Sequence, residues 1–168
     1  MTLKKFSHCV SETTDSFIKV EERGKKLVIN NTDRRRFQKV RVDDCLTKQE
    51  TGADWLIVLP GQGEVVVELK GKDVPHAIKQ IRATLELWKS FPESSNSLAA
   101  VVVASNVRPA VSTELLRAKN EFMEKFSSTL HVFNGGATCE FEPLFNARGP
   151  LKKNQHPNAH AHPHLHRR

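Results

Sequence analysis

Two acids and one amine in the sequence have the types and spacing that metal-assisted chemistry needs. Asp54 is followed, after thirteen residues, by Glu68-Leu69-Lys70. In a β-strand, side chains two residues apart point to the same face, so Glu68 and Lys70 are expected to share a face. A carboxylate from the neighbouring strand would complete an acidic pocket that suits a hard ion such as Mg²⁺ or Mn²⁺. The lysine could activate a metal-bound water or stabilise charge on a phosphoryl group.

The elements that must position these side chains form the clearest hairpin in the sequence. Residues 54–59 make an apolar run and residues 64–70 a valine-rich one, with Pro60-Gly61-Gln62-Gly63 between them. Apolar runs of this length on either side of a glycine-containing turn are typical of two antiparallel strands.

The register of this hairpin decides whether the pocket exists. With a four-residue turn, Leu59 pairs with Glu64 and Asp54 falls opposite Leu69, on the wrong face of the sheet. A three-residue loop or a β-bulge shifts the pairing by one residue and brings Asp54 beside the E-L-K triplet. The metal hypothesis therefore predicts an odd-length loop or a bulge near Gly61.

Helical periodicity follows the hairpin. Apolar side chains between residues 74 and 88 recur at three- and four-residue spacing, with Asp73 as the N-cap and Pro75 in the first turn. A second helix is predicted from Ser112 or Thr113 to about residue 126.

Three further extended segments are predicted around these helices. Residues 98–104 form an apolar run that favours a buried strand, and residues 130–133 form a last short strand, for which 138–141 is a candidate partner. Earlier in the chain, residues 17–20 and 26–29 predict another hairpin around Arg23-Gly24, and residues 37–42 predict a further strand after it.

This succession predicts one α/β domain, a mixed sheet flanked by helices, over residues 1–148. Residues 149–168 are rich in histidine and basic residues and have few large apolar side chains, so they are predicted to be a disordered tail.

Asp54, the run Glu68-Leu69-Lys70-Gly71 and a helix with Gln80 together resemble the PD-(D/E)XK, or restriction-endonuclease-like, nuclease superfamily. That family has a helix–strand–strand–strand–helix–strand core, and the resemblance covers about residues 40–105. It implies a Mg²⁺- or Mn²⁺-dependent endonuclease, with Asp54 and Glu68 as metal ligands and Lys70 as general base or transition-state lysine. Gln80 matches a glutamine that faces the site in several branches.

Two departures from the family pattern concern the surroundings of the site. The aromatic residue often found four positions after the glutamine is Thr84 here. Many branches add a glutamate from an N-terminal helix, but no helix is predicted around Glu12 or Glu22. Asp43, at the end of the preceding strand, is the more attractive third metal ligand.

The net charge of +7 is uneven along the chain. Residues 148–168 carry five basic residues and no acid, which leaves 21 basic and 19 acidic residues before them. The local excess lies between residues 25 and 41, where the run Arg34, Arg35 and Arg36 could clamp a phosphate backbone. Lys72, beside the proposed site, is the fourth predicted nucleic-acid contact.

Three widely spaced cysteines without a C-x-x-C motif argue against a disulfide framework, and Cys9, Cys45 and Cys139 are expected to be buried as small hydrophobic residues. No apolar stretch approaches the roughly 20 residues that span a bilayer. The N-terminal residues lack the apolar region of a secretory signal. These patterns favour a cytoplasmic protein with no membrane association.

The function predicted on these grounds is hydrolysis of phosphodiester bonds, in DNA rather than RNA. The family also implies that a domain of this size obtains specificity as a homodimer or from a partner subunit. One alternative is a non-catalytic module of the same fold that binds nucleic acid or a partner protein. Another is an inhibitor or decoy that binds another enzyme.

Overall fold

The structure, a computed structural model, describes residues 1–48, 51–69, 72–105 and 112–147. The predicted tail therefore lies outside the described residues. The strands and helices, in chain order, are β1 (Val10–Thr13), β2 (Phe17–Glu22), β3 (Lys25–Asn30), β4 (Phe37–Arg41), β5 (Trp55–Leu59), β6 (Gly63–Leu69), α1 (Val74–Trp88), β7 (Leu98–Ala104), α2 (Thr113–Phe126), β8 (Ser128–Asn134) and β9 (Gly136–Cys139). Two 3₁₀ helices, Leu3–Cys9 and Glu142–Phe145, precede and follow them.

The central element is a six-stranded mixed sheet in the order β1-β4-β5-β6-β7-β8. Strands β4, β5 and β6 pair antiparallel, whereas β6, β7 and β8 pair parallel, with α1 and α2 as the crossovers. The predicted fold class, a single α/β domain with a mixed sheet flanked by helices, is confirmed. From β4 to β7 the order is strand–strand–strand–helix–strand, and a 3₁₀ helix and three strands precede β4.

The central sheet is covered on both faces, which explains its apolar strands. One core lies between the sheet and the two α-helices and includes Leu56, Val66 and Trp88. The other lies between the sheet and a second, three-stranded sheet and includes Ile57 and Val65. Every residue of β7 is buried because neither of its faces meets solvent.

The second sheet, in the order β2-β3-β9, corrects one predicted pairing. Residues 138–141 do not pair with β8. Instead, the chain turns at Gly135 (φ +80°), and β9 runs parallel to β3, with Ala137 opposite Leu27. This pairing occupies the edge of β3 that β2 leaves open and buries Cys139 in the core between the sheets.

The loop between β5 and β6 has the odd length that the metal hypothesis predicts. Leu59 pairs with Gly63, so the loop comprises the three residues 60–62. The amide of Gln62 donates to the carbonyl of Leu59 at 2.9 Å, around Pro60 and a Gly61 at φ +76°. Proline followed by a glycine at positive φ is the combination that a type II turn favours.

The cysteine prediction is wrong for two of the three residues. Cys9 and Cys45 form a disulfide, with Cα atoms 5.7 Å apart, whereas Cys139 is a buried free thiol. Burial, and then the nearby Glu140 carboxylate, raises the pKa of Cys139 to about 12, which keeps the thiol protonated and unreactive. The disulfide joins the end of the first 3₁₀ helix to the loop that follows β4.

Among the described residues, no helix combines the length and the apolar character needed to cross a membrane.

Cys9→Ser should lower the free energy of unfolding by about 2–4 kcal/mol, because the disulfide closes a loop across 36 residues of sequence. Urea unfolding with and without dithiothreitol measures the effect. The reductant should lower the midpoint for the wild type and for the control Cys139→Ala. It should leave Cys9→Ser unchanged, and an equal response of all three proteins would contradict the disulfide.

Candidate active site at the end of the central sheet

An open cavity of about 340 Å³ lies where β4 and β6 end and β5 begins. Among the described residues, five acidic and three basic residues line it, with one leucine and one glutamine. These residues are Glu22, Arg23, Lys25, Arg41, Asp43, Asp44, Asp54, Glu68, Leu69 and Gln80. The structure therefore brings together five of the residues singled out in the sequence, Glu22, Asp43, Asp54, Glu68 and Gln80.

Asp54 and Glu68 are held together by reciprocal hydrogen bonds. The backbone amide of Asp54 donates to Glu68 Oε2 at 3.1 Å, and the amide of Leu69 donates to Asp54 Oδ2 at 2.7 Å. Trp55 pairs with Val67 in the antiparallel hairpin. One residue further along each strand, Asp54 therefore lies next to Glu68. Each carboxylate thus receives a main-chain donor at the point where the strand pairing ends, which fixes both groups in the wall of the cavity.

Glu68 is 2% exposed, and an acid so deeply buried requires partners. Glu64, four residues earlier on the same face of β6, is also buried, but its carboxylate lies at the far end of the strand. It accepts hydrogen bonds from the amide and Oγ of Ser95, at 3.0 and 2.9 Å. Burial raises the pKa of Glu64. Glu64 is therefore a structural acid and a useful comparison for Glu68.

Helix α1 positions the segment that leads into Asp54. Gln80 Nε2 donates to the carbonyl of Gly52 at 3.1 Å. The buried hydroxyl of Thr84 accepts from the amide of Ala53 at 2.8 Å and donates to the carbonyl of Gln80 at 3.0 Å. Thr84, the departure from the family pattern, thus ties α1 to the start of β5. An aromatic side chain at this position could not make either hydrogen bond.

Asp43 reaches the cavity on an extension of β4. The amide of Asp43 donates to the carbonyl of Ala53 at 3.2 Å, and the amide of Val42 donates to that of Asp54 at 3.1 Å. Asp44 follows with φ +59°, a left-handed backbone that turns the chain towards Cys45.

The side chains that line the cavity show which metal ion it could hold. Asp54 and Glu68 supply two adjacent carboxylates without sulfur or imidazole ligands, which fits Mg²⁺ or Mn²⁺ better than Zn²⁺. Within the described ranges, Asp43 does not join them in a group whose oxygens all lie within 4.8 Å of one another. Two carboxylates are nevertheless a usual protein contribution to a Mg²⁺ site, with water and substrate phosphate as further ligands.

The described ranges hold one His/Cys/Asp/Glu group that meets that distance condition, His8 with Cys9 and Cys45. The two sulfurs of this group are joined to each other in the disulfide.

Sequence reasoning named Glu22 as a candidate acid, but it missed the cations that come from the β2–β3 hairpin. Its tip supplies Glu22, Arg23 and Lys25 to the cavity, although β2 and β3 belong to the second sheet. The signal was present in the alternation of β2, since Ile18 and Val20 are buried and Glu22 continues the same face. No helix surrounds Glu12 or Glu22, as expected.

The predicted nucleic-acid residues are not gathered at the cavity. Arg35 forms an ion pair with Glu142, and Arg36 pairs with Glu12 at 3.1 Å. Arg35 Nη1 also lies 3.5 Å from Gln62 Oε1, in the loop at the opposite end of β5. Residues 34–36 lie in the turn before β4, and the five residues of β4 separate this turn from the cavity by about 15 Å.

Lys70 and Lys72 are the two remaining residues that were predicted to belong to the site. Lys72 is exposed and is not among the residues that line the cavity. Lys70 lies outside the described residues.

Comparison of the chain with protein-family models, with curated proteins and with solved structures finds no match. The chemistry of the cavity must therefore be interpreted from its own residues.

Thr84→Val should cost about 1–3 kcal/mol of stability, because the buried amide of Ala53 loses its acceptor. Thr84→Ser keeps the hydroxyl and should retain that hydrogen bond. Amide hydrogen exchange by NMR should show faster exchange at Ala53 in the valine variant and near wild-type exchange in the serine variant. Equal protection in both variants would show that Thr84 does not hold this segment.

Proposed function

We propose that the protein is a Mg²⁺- or Mn²⁺-dependent endonuclease that hydrolyses phosphodiester bonds in DNA. The observation that carries the proposal is the reciprocal hydrogen bonding of Asp54 and Glu68 in the wall of an open cavity. The three-residue loop between β5 and β6 sets the register that brings these two acids together.

Asp54 and Glu68 would hold the ion in this proposal, and Asp43, on the same cavity wall, would bind one of its water ligands. When bound, the ion lowers the pKa of water and offsets charge on the phosphoryl oxygens. Leu69 and Asp54 contribute their amides, which keep the two carboxylates in place before the ion arrives. Gln80 and Thr84 hold the segment before Asp54 against α1.

Lys70 is proposed to take a proton from the attacking water or to stabilise charge on the phosphoryl group. The proposal for Lys70 rests on its place two residues after Glu68 in the sequence and on the resemblance to PD-(D/E)XK nucleases. Exchange of a general acid or base commonly changes a rate by a factor of about 10²–10⁴. Lys70→Ala is therefore the most informative single substitution for the chemical step.

Cleavage of duplex, single-stranded and branched DNA and of RNA, with Mg²⁺ or Mn²⁺, tests the proposal. The wild type should cut DNA in a metal-dependent manner, and Asp54→Asn, Glu68→Gln and Lys70→Ala should each reduce the rate by about 10²-fold or more. Glu64→Gln is the matched control because it removes a buried carboxylate from the same face of the same strand. Its amide oxygen can still accept from Ser95, and its cleavage rate should stay near that of the wild type.

Calorimetric titration with Mn²⁺ separates loss of the ion from loss of chemistry. Binding should weaken in Asp54→Asn and Glu68→Gln but persist in Lys70→Ala and Glu64→Gln. A protein that binds Mn²⁺ at these acids and cuts none of the substrates would contradict the endonuclease. A protein that neither binds Mn²⁺ nor cuts would favour the non-catalytic module of the same fold.

A further inference from the structure

We infer that the tip of the β2–β3 hairpin, residues 22–25, binds the nucleic-acid strand. Its cations Arg23 and Lys25, together with Arg41, would contact the phosphates on either side of the reacting phosphate. The inference deepens the proposed function, since it names the surface that receives the substrate. It moves nucleic-acid binding from the turn at residues 34–36 to the opposite end of β4.

Strand alternation directs the hairpin tip towards the cavity. Ile18 and Val20 of β2 face the central sheet, and Glu22 is the next residue on that face. On β3, Leu27 faces the same way, and Lys25 continues its row towards the tip. Beyond the apolar core, these rows therefore end in charged side chains that line the cavity.

Arg41 joins the hairpin tip from the central sheet. Its guanidinium lies 3.8 Å from Glu22 and 5.8 Å from the centre of the Trp55 ring. Both contacts hold the cation at the rim of the cavity, between the two sheets. About half of the Arg41 side chain remains exposed, so a ligand phosphate can still approach it.

Arg23 occupies a backbone conformation that other residues adopt at lower cost. The tip is a two-residue turn between the paired Glu22 and Lys25, with Arg23 at φ +47° and Gly24 at φ +75°. Two-residue turns with positive φ at both positions favour asparagine, aspartate or glycine at the first position. An arginine there brings a long cationic side chain to the cavity at a small cost in backbone strain.

Arg35 and Arg36 differ from Arg23 and Lys25 in their ion-pair partners. Arg35 and Arg36 already have acidic partners, Glu142 and Glu12. Within the described part of the chain, neither Arg23 nor Lys25 has an ion-pair partner. Their charges are therefore available to a ligand that enters the cavity. Arg34 has no ion-pair partner among the described residues either, but it precedes β4 at the end away from the cavity.

The ligand chemistry follows from the charge of the cavity wall. A single phosphate would meet the carboxylates of Asp54 and Glu68, whose charge a bound divalent ion offsets. A strand with several phosphates brings further negative charge, which Arg23, Lys25 and Arg41 on the cavity wall can offset although acids line the same wall. Three cations near a metal-binding pair of acids suit a phosphodiester chain better than a free phosphate or a mononucleotide.

Arg23→Asn and Arg34→Asn make a matched pair for the test. Both arginines have positive φ, +47° and +52°, and asparagine tolerates this conformation. Each substitution removes one positive charge, and both variants should melt at or above the wild-type temperature. The experiment measures fluorescence anisotropy of short labelled single-stranded and duplex DNA, with Ca²⁺ in place of Mg²⁺ so that cleavage does not consume the probe.

Arg23→Asn should raise the Kd by roughly five- to tenfold at 0.1 M salt and reduce the salt dependence of binding by about one ion. Lys25→Gln should act in the same direction, and Arg34→Asn should leave the Kd unchanged. Equal weakening by the two asparagine variants, weakening by Arg34→Asn alone, or no DNA binding by the wild type would overturn the inference.

The two proposals fail separately. Metal-dependent cleavage with a KM that Arg23→Asn does not change would leave the endonuclease in place and remove the role of the hairpin tip. DNA binding that depends on Arg23, in a protein that cuts nothing, would retain the hairpin tip and remove the catalysis.

Discussion

The register of β5 on β6 is the constraint on which the rest of the site depends. Leu59 opposite Gly63 leaves three residues in the loop, and the same register brings Asp54 next to Glu68. A slip of one residue would turn Asp54 to the other face and separate the two carboxylates. It would also exchange the residues that face the helices, such as Leu56, with those that face the second sheet, such as Ile57. The apolar cores therefore stabilise the arrangement of the acids.

All three layers of the domain meet at the cavity. The central sheet supplies the carboxylates, α1 supplies Gln80, and the second sheet supplies the hairpin tip. Each layer approaches from a different side, so no single segment of the sequence contains the site. The disulfide between Cys9 and Cys45 adds a covalent connection close to Asp43, on the loop that leaves β4.

The local parts of this arrangement could be predicted because local chemistry determines them. Pro60 followed by Gly61 at positive φ suits the three-residue loop, and Asp73 caps α1 through a hydrogen bond from the amide of His76 at 3.0 Å. The buried strand β7 follows from an uninterrupted apolar run. The parts that were missed depend on residues far apart in sequence. No spacing rule pairs Cys9 with Cys45, and nothing local to residues 138–141 favours β3 over β8 as a partner.

The pairing of β9 with β3 has a consequence for how the domain folds. Leu27 lies opposite Ala137, so strands from the two ends of the described chain must meet before the second sheet is complete. Closing so long a loop has a large entropic cost, and contacts of this kind form slowly. During synthesis, β2 and β3 leave the ribosome long before β9, and until then the edge of β3 is open to other chains. The sheet whose hairpin carries Arg23 and Lys25 to the cavity thus gains its third strand only after nearly the whole domain has been made.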